Sequence, residues 1–238
     1  MKTSSNKDTI YIGRQAGDEI LREIKKAKDS VKIVSPYLSG SYVKELVALH
    51  KQNKQITLIT ADNITENQRY SDFKPSDLVI KNEVFMPDLA KIKKRGVTLF
   101  FIFIVISSMA LLSSYFIDGL FYPSLFFMGT SFFFILYFFF MSVNTIKYKP
   151  LFRIKVFDSK SGKSAFSTEL VHAKIYVIDD KVAFVGSANF TYSGFKTHYE
   201  TAVKIEDEKA VLDISREVEM LYDSKDLRAK DIEEWAGV

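Results

Sequence analysis

Leu170–Gly194 reads LVHAKIYVIDDKVAFVGSANFTYSG. The stretch holds His172, Lys174, Asp179, Gly186, Ser187 and Asn189 at the spacing H-x-K-x4-D-x6-G-S-x-N. Residues 170–178 alternate and are rich in β-branched types, which predicts a strand. Residues two apart on a strand share a face. His172, Lys174 and Tyr176 are therefore expected on one side, and Val171, Ala173, Ile175 and Val177 on the other, in a core. Asp179-Asp180-Lys181 is a polar turn, and Val182–Gly186 is a second strand. Ser187 and Asn189 again lie two apart, and Gly186 permits close backbone approach.

The hairpin thus gathers an imidazole, an ammonium, a hydroxyl and an amide, a set that suits a phosphate. Lys174 neutralises it, Ser187 and Asn189 hydrogen-bond its oxygens, and His172 can attack phosphorus or move protons. Of the other histidines, His50 closes a predicted helix and reads as structural. His198 lies near the motif but outside its pattern.

The stretch resembles the HKD motif of the phospholipase D superfamily and matches it at all six positions. Val31–Leu38 (VKIVSPYL), the helix after it and Gln55–Ala61 (QITLITA) look like the first strands of that fold. Glu200, within HYETAV, falls where the family carries a glutamate, often as Asn-x-Glu or Asn-Glu; here His198 and Tyr199 precede it. The resemblance covers most of the chain outside residues 97–146. It implies an α/β fold, a mixed sheet flanked by helices. Asp179 and Glu200 become the carboxylates expected to orient or pair with His172 and Lys174, and either can meet either. Sites in this family are built from two HKD motifs, and this chain has one. The resemblance therefore implies a homodimer, with a second copy completing the site across a two-fold axis so that two His172 residues meet. One would form a phosphohistidine while the other protonates the leaving oxygen and then activates water.

The chain has no cysteine, which excludes disulfides and thiolate metal sites. Its three histidines show no metal-ligand spacing, so no metal and no other cofactor is expected. The net charge of +4 is compatible with a phosphorylated partner without identifying one.

Residues 1–10 are polar, read as a frayed end and do not resemble a signal peptide. Residues 17–29 are predicted helical, with Ile20, Leu21, Ile24 and Ala27 inward. Strand 31–36, a helix from Ser41 (Val43, Leu46, Val47 and Leu49 inward) and strand 55–60 imply a parallel pair with a crossover helix. Residues 62–77 read as a loop from which Arg69 and Tyr70 could touch a substrate. Residues 82–95 read as an amphipathic helix ending in Lys91, Lys93, Lys94 and Arg95.

The composition then changes. Residues 97–117 and 125–143 are apolar, and Asp118 is the only charge between Gly96 and Lys147. Each run can cross a hydrocarbon core of about 30 Å as a helix. They are apolar all round rather than striped, which predicts a transmembrane hairpin rather than a buried core pair. Basic residues flank its outer ends, with Lys147, Lys149 and Arg153 following. The positive-inside rule then places both termini and the catalytic domain in the cytoplasm, with the basic collar facing anionic headgroups. The expected organisation is 1–96 and 147–238 as one phospholipase D-like domain, with 97–146 inserted as the membrane hairpin.

After the hairpin come a strand at 152–157, a flexible turn at 159–164 and the motif. A strand at 200–205 follows, then a helix at 207–222 with Val211, Leu212, Val218 and Leu221 inward, and a closing helix at 226–235. The resemblance favours a membrane-anchored, metal-independent phosphodiesterase acting on nucleic acid. A lipid enzyme that cleaves or exchanges headgroups of anionic phospholipid is the alternative. A non-catalytic adaptor is disfavoured because every motif position is intact.

Overall fold

The computed structural model describes residues 2–5, 8–14, 16–62, 74–117, 119–159 and 171–238. In chain order these form β1 (Lys2–Ser5), β2 (Asp8–Arg14), α1 (Gly17–Lys25), β3 (Ser30–Val34), α2 (Gly40–Lys51), β4 (Gln55–Ala61) and a 3-10 turn (Pro75–Leu78). Next come β5 (Val79–Phe85), α3 (Pro87–Ser113), α4 (Phe121–Phe140), β6 (Asn144–Pro150), β7 (Arg153–Phe157), β8 (Ile175–Ile178) and β9 (Val182–Gly186). A π-helical turn (Ser193–Thr197), β10 (Tyr199–Ile205), α5 (Glu208–Asp223) and α6 (Ile232–Ala236) close the chain. Arg69, Tyr70 and most of the 159–164 turn lie outside the described residues. The chain divides into two compact units, 1–80 with 148–238, and 81–147.

The first unit is built on one mixed sheet in the order β1-β2-β10-β9-β8-β3-β4-β7. β3 and β4 pair in parallel with α2 as their crossover, β7 joins β4 in parallel, and the other neighbours are antiparallel. Strand alternation divides the core. Ile33, Leu58, Tyr176 and Phe184 face α1 and α2, where Ile20, Ile24, Val43 and Leu46 are buried against them. Val34, Ile59, Val177 and Ala183 face α5 and meet Val211 and Val218. Each large aliphatic side chain buried this way contributes roughly 1.5–3 kcal/mol.

Several expectations give way. The polar N-terminus is not frayed: β1 pairs with β2, and β2 pairs with β10 over its whole length, which holds the end in the sheet. Residues 82–85 are strand rather than helix and belong to β5, which pairs with β6. The helix begins only at Pro87, whose fixed φ suits a first helical position. It then runs through Gly96 without a break to Ser113, so the basic and apolar stretches share one helix. Gly96 lies so close to Phe138 that a Cβ would come within 2.6 Å of the ring. Leu212 faces outward, 37% exposed. The closing helix shrinks to Ile232–Ala236, because the chain before it is drawn along the edge of β7. The Asp158 N–H donates to the Arg228 carbonyl and the Lys230 N–H to that of Val156, each at 2.9 Å. Asp231 then caps the helix by accepting from the Glu233 N–H.

In the second unit, α3 and α4 pack as an antiparallel pair. Phe100 stacks on Phe134 with centroids 4.6 Å apart, and the small residues Ser107, Ser124 and Ser131 are buried. Lys93 donates to the carbonyls of Phe139 (2.9 Å) and Met141 (3.0 Å), satisfying the last turn of α4. Both helices are long and apolar enough to cross a membrane, with mean hydropathies of 2.3 and 1.7 over their best windows, and only 11% of each window is buried.

Candidate active site

The motif hairpin turns through Asp179 and Asp180, whose φ of 54° and 50° are both left-handed. The pair makes the primed turn that matches strand twist, and aspartate tolerates it. β8 is shorter than expected: it begins at Ile175, and residues 171–174 are irregular. Ala173, expected in the core, is exposed. Within this irregular segment Lys174 Nζ donates back to the His172 carbonyl at 2.7 Å.

The same ammonium lies 2.9 Å from His172 Nδ1 and 3.0 Å from Nε2. Lys174 is 5% exposed, whereas the His172 ring is open to solvent. Burial holds the Lys174 ammonium below the ordinary lysine range, with the Glu200 carboxylate opposing that effect. Both residues stand where β3 ends and β8 begins, at the carboxyl edge of the parallel strands. Open α/β sheets bind their ligands at this edge.

Gly186 brings β9 against β10. Beyond it, the Ser187 hydroxyl donates to Glu200 Oε2 and accepts from the Thr201 N–H at 3.0 Å. Glu200 Oε1 faces His198 Nδ1 at 3.7 Å. Glu200 therefore bonds Ser187 and acts on Lys174 only through its field. The Asn189 side-chain oxygen is buried without a hydrogen-bond partner among the described residues.

Asp179 does not join the site, a correction to the sequence expectation. Its carboxylate accepts the backbone N–H groups of Lys28 (2.9 Å), Asp29 (2.7 Å) and Ser30 (2.9 Å). Burial alone would raise this carboxyl, but the three amides and Lys181 outweigh it and hold it below the usual carboxylate range. His50 also stands apart, its ring edge-on to Phe152 at 5.7 Å, consistent with a structural role.

A supporting layer was not read from the sequence. Ser35 Oγ accepts the Phe190 N–H and Ser39 Oγ that of Tyr192, both at 2.9 Å. Buried Tyr176 donates to the Ala188 carbonyl at 2.6 Å. These bonds clamp both sides of the Ser187–Asn189 loop. Tyr42, Tyr176, Phe190 and Phe195 pack beneath it with centroids 5.1–6.2 Å apart. The signal was Ser35-Pro36, a polar residue at the end of an apolar strand.

Mixed sheet and histidine–lysine pair together define a phospholipase D-like architecture. The chain belongs to the phospholipase D superfamily: the family described as "Cardiolipin synthase, PLD-like domain" matches residues 20–222. Cardiolipin synthase 1 of Bacillus anthracis is 37% identical over 62 residues, 25% of this chain and 12% of that protein. The chain thus corresponds to only a small part of that relative. Among solved structures, NucT from Helicobacter pylori is similar with a TM-score of 0.52 and 14% identity, covering 94% of this chain and 99% of that one. At that identity the likeness is one of fold. Nuc from Salmonella typhimurium, titled a phospholipase D family member, has a TM-score of 0.45 at 13% identity, covering 94% and 98%.

Proposed function

We propose that the protein is a metal-independent phosphodiesterase that works through a phosphohistidine in a site shared by two copies, with nucleic acid as its substrate. The observation that carries the chemistry is Lys174 Nζ lying within 3.0 Å of both His172 ring nitrogens. That contact supports a role for Lys174 in neutralising the negative charge that a pentacoordinate phosphorus would develop beside His172. In the first step a ring nitrogen of His172 attacks phosphorus and the bond to the leaving oxygen breaks. The second copy's His172 gives that oxygen its proton. In the second step water attacks the phosphohistidine, the same imidazole takes the water's proton, and the P–N bond breaks to free the histidine. Lys174 and the Asn189 amide hold the non-bridging oxygens, and Glu200 holds Ser187 in the loop.

The single motif supports a nucleic-acid substrate, because short single-motif members of this family resemble nucleases. A phospholipid substrate is the second reading, favoured by the apolar α3–α4 pair and the cardiolipin synthase description of the matching family. In either case the pair anchors the enzyme as a membrane hairpin inserted between residues 1–96 and 147–238. The basic residues outside its ends support cytoplasmic termini. Lys93 is engaged within the hairpin, Lys91 pairs with Asp88 and Arg153 with Glu219, which leaves Lys94, Arg95, Lys147 and Lys149 to face headgroups.

The test is full-length protein in detergent, assayed with chelator on single-stranded DNA, RNA and anionic phospholipid, beside His172→Ala. Histidine-dependent cleavage of a polynucleotide is expected. Turnover of phospholipid alone would transfer the reading to lipid, and turnover of neither would overturn it.

A further inference from the structure

Of the three histidines, His198 alone is left without a role. It leaves the π-helical turn Ser193–Thr197 in an extended conformation, φ −76° and ψ 157°. The turn is anchored from below: Phe195 is fully buried and packs on Gly17 so closely that a Cβ there would strike its ring. The His198 N–H donates to the Ser193 carbonyl at 2.8 Å, and Lys196 is tied to Asp18 of α1. A fixed backbone therefore aims the side chain, and π-helical turns recur at functional sites. Residues two apart in an extended chain share a face. Ala202 is buried among the side chains of α1 and α2, so Glu200 and His198 stand on that side of the sheet. The imidazole lies in the open, 62% exposed, while the Glu200 side chain behind it is 12% exposed. His198 Nδ1 is 3.7 Å from Glu200 Oε1, and Oε2 takes the Ser187 hydroxyl. Glu200 thus has a motif residue on one oxygen and His198 on the other, and its field also reaches Lys174. An anionic substrate that approaches Lys174 meets this negative charge, and a protonated imidazole against it offsets the repulsion.

We propose that His198 is a substrate-binding residue that takes, through Nε2, a phosphate adjacent to the scissile one along a polynucleotide. The inference rests on the nucleic-acid reading above. With Nδ1 turned to Glu200, Nε2 is the nitrogen left to donate to a ligand. One carboxylate separates it from the motif loop, so it meets the substrate beside the phosphate being cleaved and not that phosphate itself. A polynucleotide carries a further phosphate on every nucleotide, whereas a simple diester has none. His198 therefore separates substrates by their flanks and not by the bond broken. The Glu200 carboxylate serves both sides of this arrangement: it holds Ser187 in the loop and keeps the imidazole turned so that its free nitrogen faces solution.

The test uses full-length protein in detergent, in a His172→Ala background so that the strand stays intact, at about pH 5.5, where imidazoles carry a proton. Binding of a fluorescent single strand of about ten nucleotides is followed from about 50 to 200 mM salt. Adding His198→Gln is expected to weaken binding about tenfold at the lowest salt. It should also flatten the dependence of log K on log salt by about 0.7, the share of one phosphate contact on a single strand. His198→Arg, which keeps a cation, is expected to restore both. With His172 intact, His198→Gln should raise KM for the strand about tenfold, and on bis(p-nitrophenyl) phosphate, which has no second phosphate, it should lower kcat/KM by less than about threefold. Equal affinity and equal salt slope with and without His198→Gln, on protein that binds the strand, would overturn the contact and leave the nucleic-acid reading standing. Weaker binding with an unchanged slope and no rescue by arginine would reduce His198 to a support for Glu200 and overturn the contact as well. Protein that binds no strand with His198 in place would instead overturn the nucleic-acid reading itself.

Discussion

Gly186→Ala tests the geometry of the site most directly. A Cβ built on Gly186 falls 2.0 Å from the Thr201 carbonyl oxygen and 2.9 Å from the Ala202 Cα. Both neighbours are backbone of β10, so no side chain can swing aside. An ordinary carbon–oxygen contact is about 3.3 Å, so the two strands must part locally by about 1.3 Å. Overpacking on this scale costs about 3 kcal/mol, the upper part of the usual range, because the strain falls on a sheet ladder. For a chain of this size that lowers Tm by about 6–12 °C. The displacement falls at the Thr201 N–H that holds Ser187 and beside Glu200. Misplacing a site by about 1 Å costs on the order of a hundredfold in rate. The assays are thermal unfolding in detergent and phosphodiester turnover, with Gly129→Ala as control, since nothing lies within 4 Å of a Cβ there. Unchanged Tm and turnover in Gly186→Ala, matching the control, would refute the close approach of β9 to β10 and the account of the loop built on it.

Four further outcomes are expected. Lys174→Met should lower turnover by at least about a hundredfold, the scale of removing a preorganised donor. It should not lower Tm, because the buried ammonium is held below its unfolded pKa and burdens the fold at neutral pH; a large loss of stability would contradict this. Asp179→Asn should cost about 2–3 kcal/mol, as charged hydrogen bonds to three amides are lost. Because the folded Asp179 pKa lies below the unfolded one, wild type should hold that advantage above about pH 4 and lose it as pH falls through the folded value. A difference between the two that persists in strong acid would count against it. Turnover should survive excess chelator, and a dependence on added magnesium or zinc would overturn the histidine–lysine mechanism. An equal mixture with His172→Ala subunits should show about a quarter of the activity of the same total amount of wild-type protein at random pairing, whereas about half would mean that each subunit works alone.

What the sequence made legible follows from the range of the forces involved. A hairpin with period-two alternation is a local pattern, and so are the crossover between β3 and β4 and the length of the apolar runs; each was readable from neighbouring residues. The misreadings share one cause, a partner distant along the chain. β2 is a strand because β10 takes it as a partner some 190 residues away, and β1 then pairs with β2; nothing within residues 1–10 announces the distant partner. The helix α3 passes Gly96, whose missing side chain leaves room for Phe138 some 40 residues away. The two carboxylates make the point for the site. Asp179 lies inside the motif and Glu200 beyond it, and no local rule says which of them meets the histidine and lysine. The fold separates them through their partners. Asp179 meets three backbone amides about 150 residues upstream that would otherwise lack an acceptor, while Glu200 meets a hydroxyl 13 residues away, across the contact that Gly186 allows. The backbone donors of the Lys28–Ser30 turn thus engage the Asp179 carboxylate, and charged acceptors make such bonds the stronger kind. The carboxylate left at the site is the one whose neighbour is another motif side chain.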